Sequence, residues 1–376
     1  MVHRSTTLLV TSLLVMSCSV KSATFTGGDD EPGDDAGAGS DDGGSAGHVI
    51  FVAQGHAGRT TVSCDGGRTW KADRSDSTAV RCFDPGNPTD CDHNPGAGRG
   101  IGYADGRFYA TFGWGTPGDV RISDDGVNWT SALAGTSFGG VAVGRDWIMG
   151  GRPSPSVSFD RGATWMTSAA SPMLSVYNVR RTAMVDVGGA NGQRAIMIGN
   201  DGSTRDAAIS ADGGASWTHP VLGACAEGDL QSGGGIVAGN GIIVIASAQA
   251  TGTACRSSDG GVTFTSHAMG GAVESQLVWT GTEFLTWGAD FVLRSPNGIN
   301  WSRTPVTAGL QLGAMAAHDG TIVAVRGAWQ TWYEQQKFYR STDGVTWETL
   351  APSAYAGSHP ITHVAVGHVA ASSACL

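Results

Sequence analysis

The side chains best able to do chemistry crowd into one stretch. It runs Asp84-Pro-Gly-Asn-Pro-Thr-Asp-Cys-Asp-His-Asn-Pro-Gly-Ala-Gly-Arg99. His93 has the side chain that titrates nearest neutrality, so it can serve as base or donor. Arg99 presents a planar fork that fits a carboxylate; it can instead pair with Asp90 or Asp92 and hold the stretch together. Asp90-Cys91-Asp92-His93 also has ligand types for Ca²⁺ or another metal. That is the one cofactor candidate; otherwise none is expected, and no C-x-x-C pair argues for zinc. Three prolines, with Cys82 and Cys91 at the flanks, would remove much of the ordering entropy in advance.

Two kinds of carbohydrate chemistry can be built from these residue types. A uronate lyase needs a cation on the substrate carboxylate and a base for the C5 proton. His93 with Arg99 or Arg152 meets that need. A glycoside hydrolase needs two carboxylates facing each other, for which Glu227 and Glu274 are the candidates. A binding surface needs neither, only aromatic faces and polar groups.

The elements that must position these residues are repetitive. Seven short turns begin at Ser63, Ser123, Ser158, Ser210, Ser257, Ser295 and Ser341. Four have the form S-x-D-x-G-x-[TS]-[WF], with Asp65, Asp160, Asp212 and Asp259 and the rings Trp70, Trp165, Trp217 and Phe264. Three are one residue shorter, with Asp125, Asn297 and Asp343 and the rings Trp129, Trp301 and Trp347. Glycine supplies the positive φ, the carboxylate caps amide groups of its own turn, and the ring packs on a sheet. The spacing averages about 46 residues, a propeller-blade length.

The pattern resembles the Asp-box, or BNR, repeat of sialidase-like β-propellers, over nearly the whole chain after residue 47. The resemblance implies that each box joins the third and fourth strands of a blade on the lower rim. It makes these residues scaffold and puts the ligand face on the opposite rim. There it gathers His56, Arg59, Trp114, Tyr177, Arg180, Trp329, Tyr333, His359 and His363 around the Asp84–Arg99 loop. Trp114 and Trp329 either pack blade on blade or offer sugar platforms. Sialidases of this kind carry an F/Y-R-I-P motif in the first blade, an Arg triad and a Tyr–Glu pair. This chain has no such motif; the nearest run is Gly151-Arg152-Pro153-Ser154, in blade three. Sialidases also have six blades, so true sialidase activity is not expected.

An all-β, seven-bladed propeller over residues 48–376 is therefore expected. Blade one lacks an upstream inner strand before His48-Val-Ile-Phe-Val52. The C-terminal run His363-Val-Ala-Val-Gly-His368 supplies it and closes the ring. Three disulfides are expected. Cys82–Cys91 staples the loop, Cys225–Cys255 joins two upper loops of blade five, and Cys64–Cys375 locks the closure near the lower side. This cysteine usage fits an oxidising compartment.

Residues 1–17 read as a lipoprotein signal: a basic start, a short apolar run and a small residue before Cys18. Cys18 is then the lipidation site and membrane contact is through that anchor alone; an ordinary signal peptide is the other reading. Residues 18–47 read as an acidic Gly/Asp/Ser-rich disordered tether. An exported bacterial lipoprotein at the cell envelope or surface follows, and a monomer is expected. The net charge is −10, so nothing suggests a nucleic-acid partner. The expected partner is a glycan or protein ligand at the upper mouth, with the carbohydrate-active enzyme as the alternative.

Overall fold

The computed structural model describes residues 47–56, 58–75, 98–112, 118–134, 140–150, 155–170, 181–186, 192–201, 204–227, 235–246, 252–273, 276–288, 290–307, 310, 312–325, 337–350, 361–370, 372 and 374–375. Alternating apolar positions in short segments bounded by glycine turns produce strands, and these assemble into seven separate antiparallel sheets. The fold is a seven-bladed β-propeller. The sole helical element among the described residues is a short 3₁₀ turn, Gly223–Glu227.

Each blade follows one plan, with the chain passing outward from inner to second, third and outer strand. In blade two these are Gly98–Ala104, Arg107–Phe112, Asp119–Ser123 and Thr130–Ala134. Blade four has three strands, Arg181–Asp186, Gln193–Asp201 and Thr204–Ser210. Its outer strand is reduced to a bridge between Ile209 and Thr218.

Blade one is built from both ends of the described chain. Its second, third and outer strands are His48–Gly55, Thr60–Ser63 and Lys71–Arg74. Its inner strand is the C-terminal Ile361–Val369, which pairs antiparallel with His48–Gly55 over its whole length. The register puts Phe51, Ala53 and Val364 into the core shared with blade seven, beside Ala314, Ala316, Val323 and Phe338. Ile50, Val52, Ala365 and Val369 face blade two. One strand pair thus fills both seams.

The seven turns sit between third and outer strands and repeat one hydrogen-bond pattern. In the first, Ser63 Oγ donates to Asp65 Oδ1 at 2.8 Å and accepts from Gly67 N at 2.9 Å. Asp65 then accepts from Thr69 N at 2.9 Å and Thr69 Oγ1 at 2.6 Å. Asn297 holds the sixth turn through its amide oxygen, accepting from Ile299 N and Asn300 N at 3.0 Å. The rim that carries these turns is called lower below, and the opposite rim upper.

Two of the expected disulfides are present among the described residues, Cys64–Cys375 and Cys225–Cys255. The second lies elsewhere than expected. Cys255 is inside the third strand of blade five, Thr253–Ser257, and Cys225 is in the 3₁₀ turn between blades four and five. Both sulfurs belong to the core shared by those blades, with Ile196, Ile209, Ile243 and Phe264. The connecting segment is drawn inward because Val221 bridges to Thr263 and Leu222 is buried beside the strand. The bond therefore staples a core rather than joining two upper loops. Cys82 and Cys91 lie outside the described residues, as do Cys18 and the rest of 1–46.

Candidate functional site at the upper mouth

Strand direction alone brings three segments together at the upper end of blade one. These are the end of its second strand (Gln54, Gly55), the start of its inner strand (Ile361 to His363) and the start of the inner strand of blade two (Gly98, Arg99). A tight turn follows Gly55, closed by Gly55 N to Arg59 O at 2.8 Å and Arg59 N to His56 O at 3.0 Å.

Hydrogen bonds then tie the two blades. Gly98 N donates to His56 Nδ1 at 3.0 Å. An imidazole that accepts at Nδ1 holds its proton on Nε2 when neutral. Gln54 Nε2 crosses to Thr111 O at 2.7 Å. Thr362 Oγ1 lies 3.3 Å from Gln54 O and 2.8 Å from His363 Nδ1. The approach of Gly98 is so close that a Cβ there would fall 2.7 Å from Gly55 O and 3.1 Å from Thr362 Oγ1.

Beneath this layer lies a buried ion pair. Arg59 donates Nε and Nη2 to the two carboxylate oxygens of Asp73, both at 2.8 Å, and the side chains are 0 % and 5 % exposed. Such a bidentate pair fixes both partners. Arg59 and His56 are thus both buried; they hold the backbone of the mouth and do not line its surface. Among the described residues, those buried as a whole whose side chains bear a charge, an amide or an imidazole are Gln54, His56, Arg59 and Gln193. Three of these four belong to this one corner. Gln54 Oε1 is buried with no hydrogen-bond partner among the described residues.

Arg99 follows Gly98 in the inner strand and is half-buried. Glu227 ends the 3₁₀ turn between blades four and five, two residues from Cys225. His93, Trp114, Arg152, Tyr177, Arg180, Glu274, Trp329, Tyr333 and His359 lie outside the described residues. The corner therefore unites His56, Arg59, Arg99 and His363 from the sequence-based set, and adds Gln54, Asp73 and Thr362. Asp73 carried no signal beyond being a lone acid on an outer strand.

On the lower rim a cleft of about 460 Å³ opens between blades three and four, lined by Arg145, Asp146, Trp147, Phe159, Gln193 and Asp212. Asp212 is occupied there in its own turn, accepting from Ser216 N at 2.9 Å and Ser216 Oγ at 2.6 Å. Among the described residues, no group of three or more His, Cys, Asp or Glu side chains is arranged to hold a metal ion, and no helix is long and apolar enough to cross a membrane.

No family model matches the sequence, and no curated protein is similar to it at a significant level. Solved structures do share its architecture. YCF48 from Cyanidioschyzon merolae is 16 % identical with a TM-score of 0.51, covering 72 % of this chain and 95 % of that one. Apo AztD from Citrobacter koseri is 8 % identical with a TM-score of 0.53, covering 86 % and 98 %. At such identities the likeness is one of fold.

Proposed function

We propose that this protein is an exported, lipid-anchored Asp-box propeller that binds a glycan or protein ligand at its upper mouth, at the corner of blades one and two. The observation that carries this reading is the concentration of buried polar side chains there. Burying an amide, an imidazole and a guanidinium costs free energy unless each is hydrogen-bonded. The seams between blades four and five, five and six, and six and seven are filled mainly by aliphatic and aromatic side chains. A polar pedestal of Gln54, His56 and the Arg59–Asp73 pair is not needed to close a ring. It does what a positioned site requires, which is to lock the residues that face a ligand. Arg99 adjoins it through Gly98, and in the sequence the Asp84–Arg99 stretch with His93 leads directly into Gly98.

The Asp-box kinship is supported by the Ser–Asp hydrogen bonds of six turns and the equivalent Ser295–Asn297 bond of the other, and export by the two disulfides. The test is a panel of uronate and neutral polysaccharides, followed for binding, for unsaturated product by ultraviolet absorbance and for new reducing ends. Wild type is compared with His93→Ala and Arg99→Ala. Binding without cleavage, lost in both variants, supports the module. Cleavage lost in both variants makes the chain a lyase or a hydrolase according to the product. Full binding and activity in both variants overturns this placement of the site.

A further inference from the structure

The seam between blades seven and one ends, at the lower mouth of the channel, in two histidines. The inner strand of blade seven, Met315–His318, and the C-terminal inner strand of blade one, Ile361–Val369, face each other. Ala314 and Ala316 from one side meet Val364 and Val366 from the other in a shared core. The next residue in each alternating row is His318 and His368. Their rings meet edge to face with centroids 4.9 Å apart. His318 is half-buried and His368 exposed, so water and ions reach both.

Both backbones are fixed. His318 pairs with Thr321 across a two-residue hairpin whose Asp319 and Gly320 have φ of 45° and 69°. His368 pairs with Val49, and its carbonyl accepts from the Tyr103 hydroxyl of blade two. Two imidazoles thus come from two rigid strands, and a rotation of each ring about its side-chain bonds can aim one nitrogen of each at a common point.

We propose that His318 and His368 form a site for a borderline divalent transition-metal ion of the Zn²⁺, Ni²⁺ or Cu²⁺ class, which clasps blade seven to the strand that closes the ring. Imidazole suits these ions, whereas Ca²⁺ and Mg²⁺ take oxygen ligands. With two protein ligands the remaining positions belong to water, which makes the clasp reversible. It lies at the opposite end of the channel from the upper mouth and does not depend on what binds there. An ion held only by the closed ring stabilises the folded state by mass action.

The experiment uses the full chain, stripped with EDTA and then titrated with ZnCl₂, NiCl₂ or CaCl₂, read by calorimetry and thermal unfolding. Zn²⁺ and Ni²⁺ are expected to bind one ion per chain at this site and raise Tm, and Ca²⁺ to do neither. His318→Ala and His368→Ala are each expected to lose that ion and the Tm rise while keeping the metal-free Tm of wild type. His93→Ala is expected to keep both. Absence of Zn²⁺ and Ni²⁺ binding in wild type overturns the proposal. So does binding that survives in both single variants, which would place the ion on other histidines. If a variant lowers the metal-free Tm, His368→Gln, which keeps a polar side chain there, repeats the comparison.

Discussion

Cys64, in the first Ser–Asp turn, is bonded to Cys375, 311 residues away in sequence, with Cα atoms 5.6 Å apart. The bond fastens the C-terminal end to the blade it completes. Ser372 Oγ adds a hydrogen bond to Asp125 O of blade two at 2.8 Å. On the blade-seven side, Arg340 Nε donates to Gly66 O at 2.9 Å and Trp70 stacks on Phe338 at 4.2 Å. Closure is therefore held by a covalent bond, a strand pair and an aromatic contact together.

The first prediction follows from that closure. A crosslink over so long a loop restricts the unfolded chain strongly, on the order of 2–5 kcal/mol. Cys64→Ser with Cys375→Ser is expected to lower stability by that amount in urea unfolding. The upper-mouth hydrogen bonds lie at the far end of the same strand pair, so ligand binding is expected to survive. A double variant as stable as wild type would show that the strand pair alone closes the ring.

The second prediction concerns Arg59 and Asp73. Removing one member of a buried pair leaves an uncompensated charge, at a cost of about 3–5 kcal/mol, whereas replacing both with apolar residues of similar size is far milder. Asp73→Ala is expected to show the large loss. Arg59→Met with Asp73→Leu is expected to recover most of it. Equal losses in the single and double variants would mean that other contacts of Arg59, not the pair, carry the stability.

Much of this architecture is legible in the sequence. Seven turns in register gave the blade count, and the missing partner of His48-Val-Ile-Phe-Val52 pointed to the strand around His363–His368. What strand alternation and turn residues encode locally can be read locally. The pedestal could not be read that way. Gln54 reaches Thr111 and His56 reaches Gly98 only because two blades pack side by side, a contact between segments 57 and 42 residues apart. Cys225 reads as an upper-loop residue because nothing in its surroundings announces a segment held by a backbone bridge at Val221 and buried at Leu222. His318 carries no signal in the sequence beyond a lone histidine at a hairpin, since its partner His368 lies on a distant segment.

The third prediction is the acid response of the Ser–Asp turns. The carboxyls of Asp160, Asp259 and Asp343 are lowered from 3.8 to about 2. For Asp160 the Thr164 hydroxyl contributes most, followed by the Thr164 amide. For Asp259 and Asp343 burial pulls upward and is outweighed by the hydrogen bonds of the turn. A folded-state value below the unfolded one means stability that is complete above about pH 4 and lost as pH falls toward about 2. Asp343→Asn, which mimics the natural Asn297, is expected to cost roughly 0.5–1 kcal/mol near neutrality, allowing for solvent screening. The gap between variant and wild type is expected to shrink through this window. A gap independent of pH would show that the charge of Asp343 contributes nothing.

The fourth prediction separates the mouth from the ring. Gly98 lies where any side chain would press on Gly55 O and Thr362 Oγ1, yet its amide is the donor that His56 accepts. Gly98→Ala must push the start of the blade-two inner strand away from blade one, and Arg99 moves with it. The displacement is confined to the upper end, because the lower part of that strand is anchored by the pairing of Tyr103 with Phe108 and of Ala104 with Arg107. Overpacking of this kind costs about 1–3 kcal/mol, which a propeller closed by a disulfide is expected to survive folded. Ligand binding is expected to fall much further than stability, since it depends on where Arg99 is held. His56→Ala removes the acceptor without adding bulk, so it should weaken binding in the same direction with a smaller loss of stability. The measurements are thermal unfolding and ligand titration on the same samples. If Gly98→Ala unfolds no more easily and binds as well as wild type, the Gly98–His56 contact does not position the site.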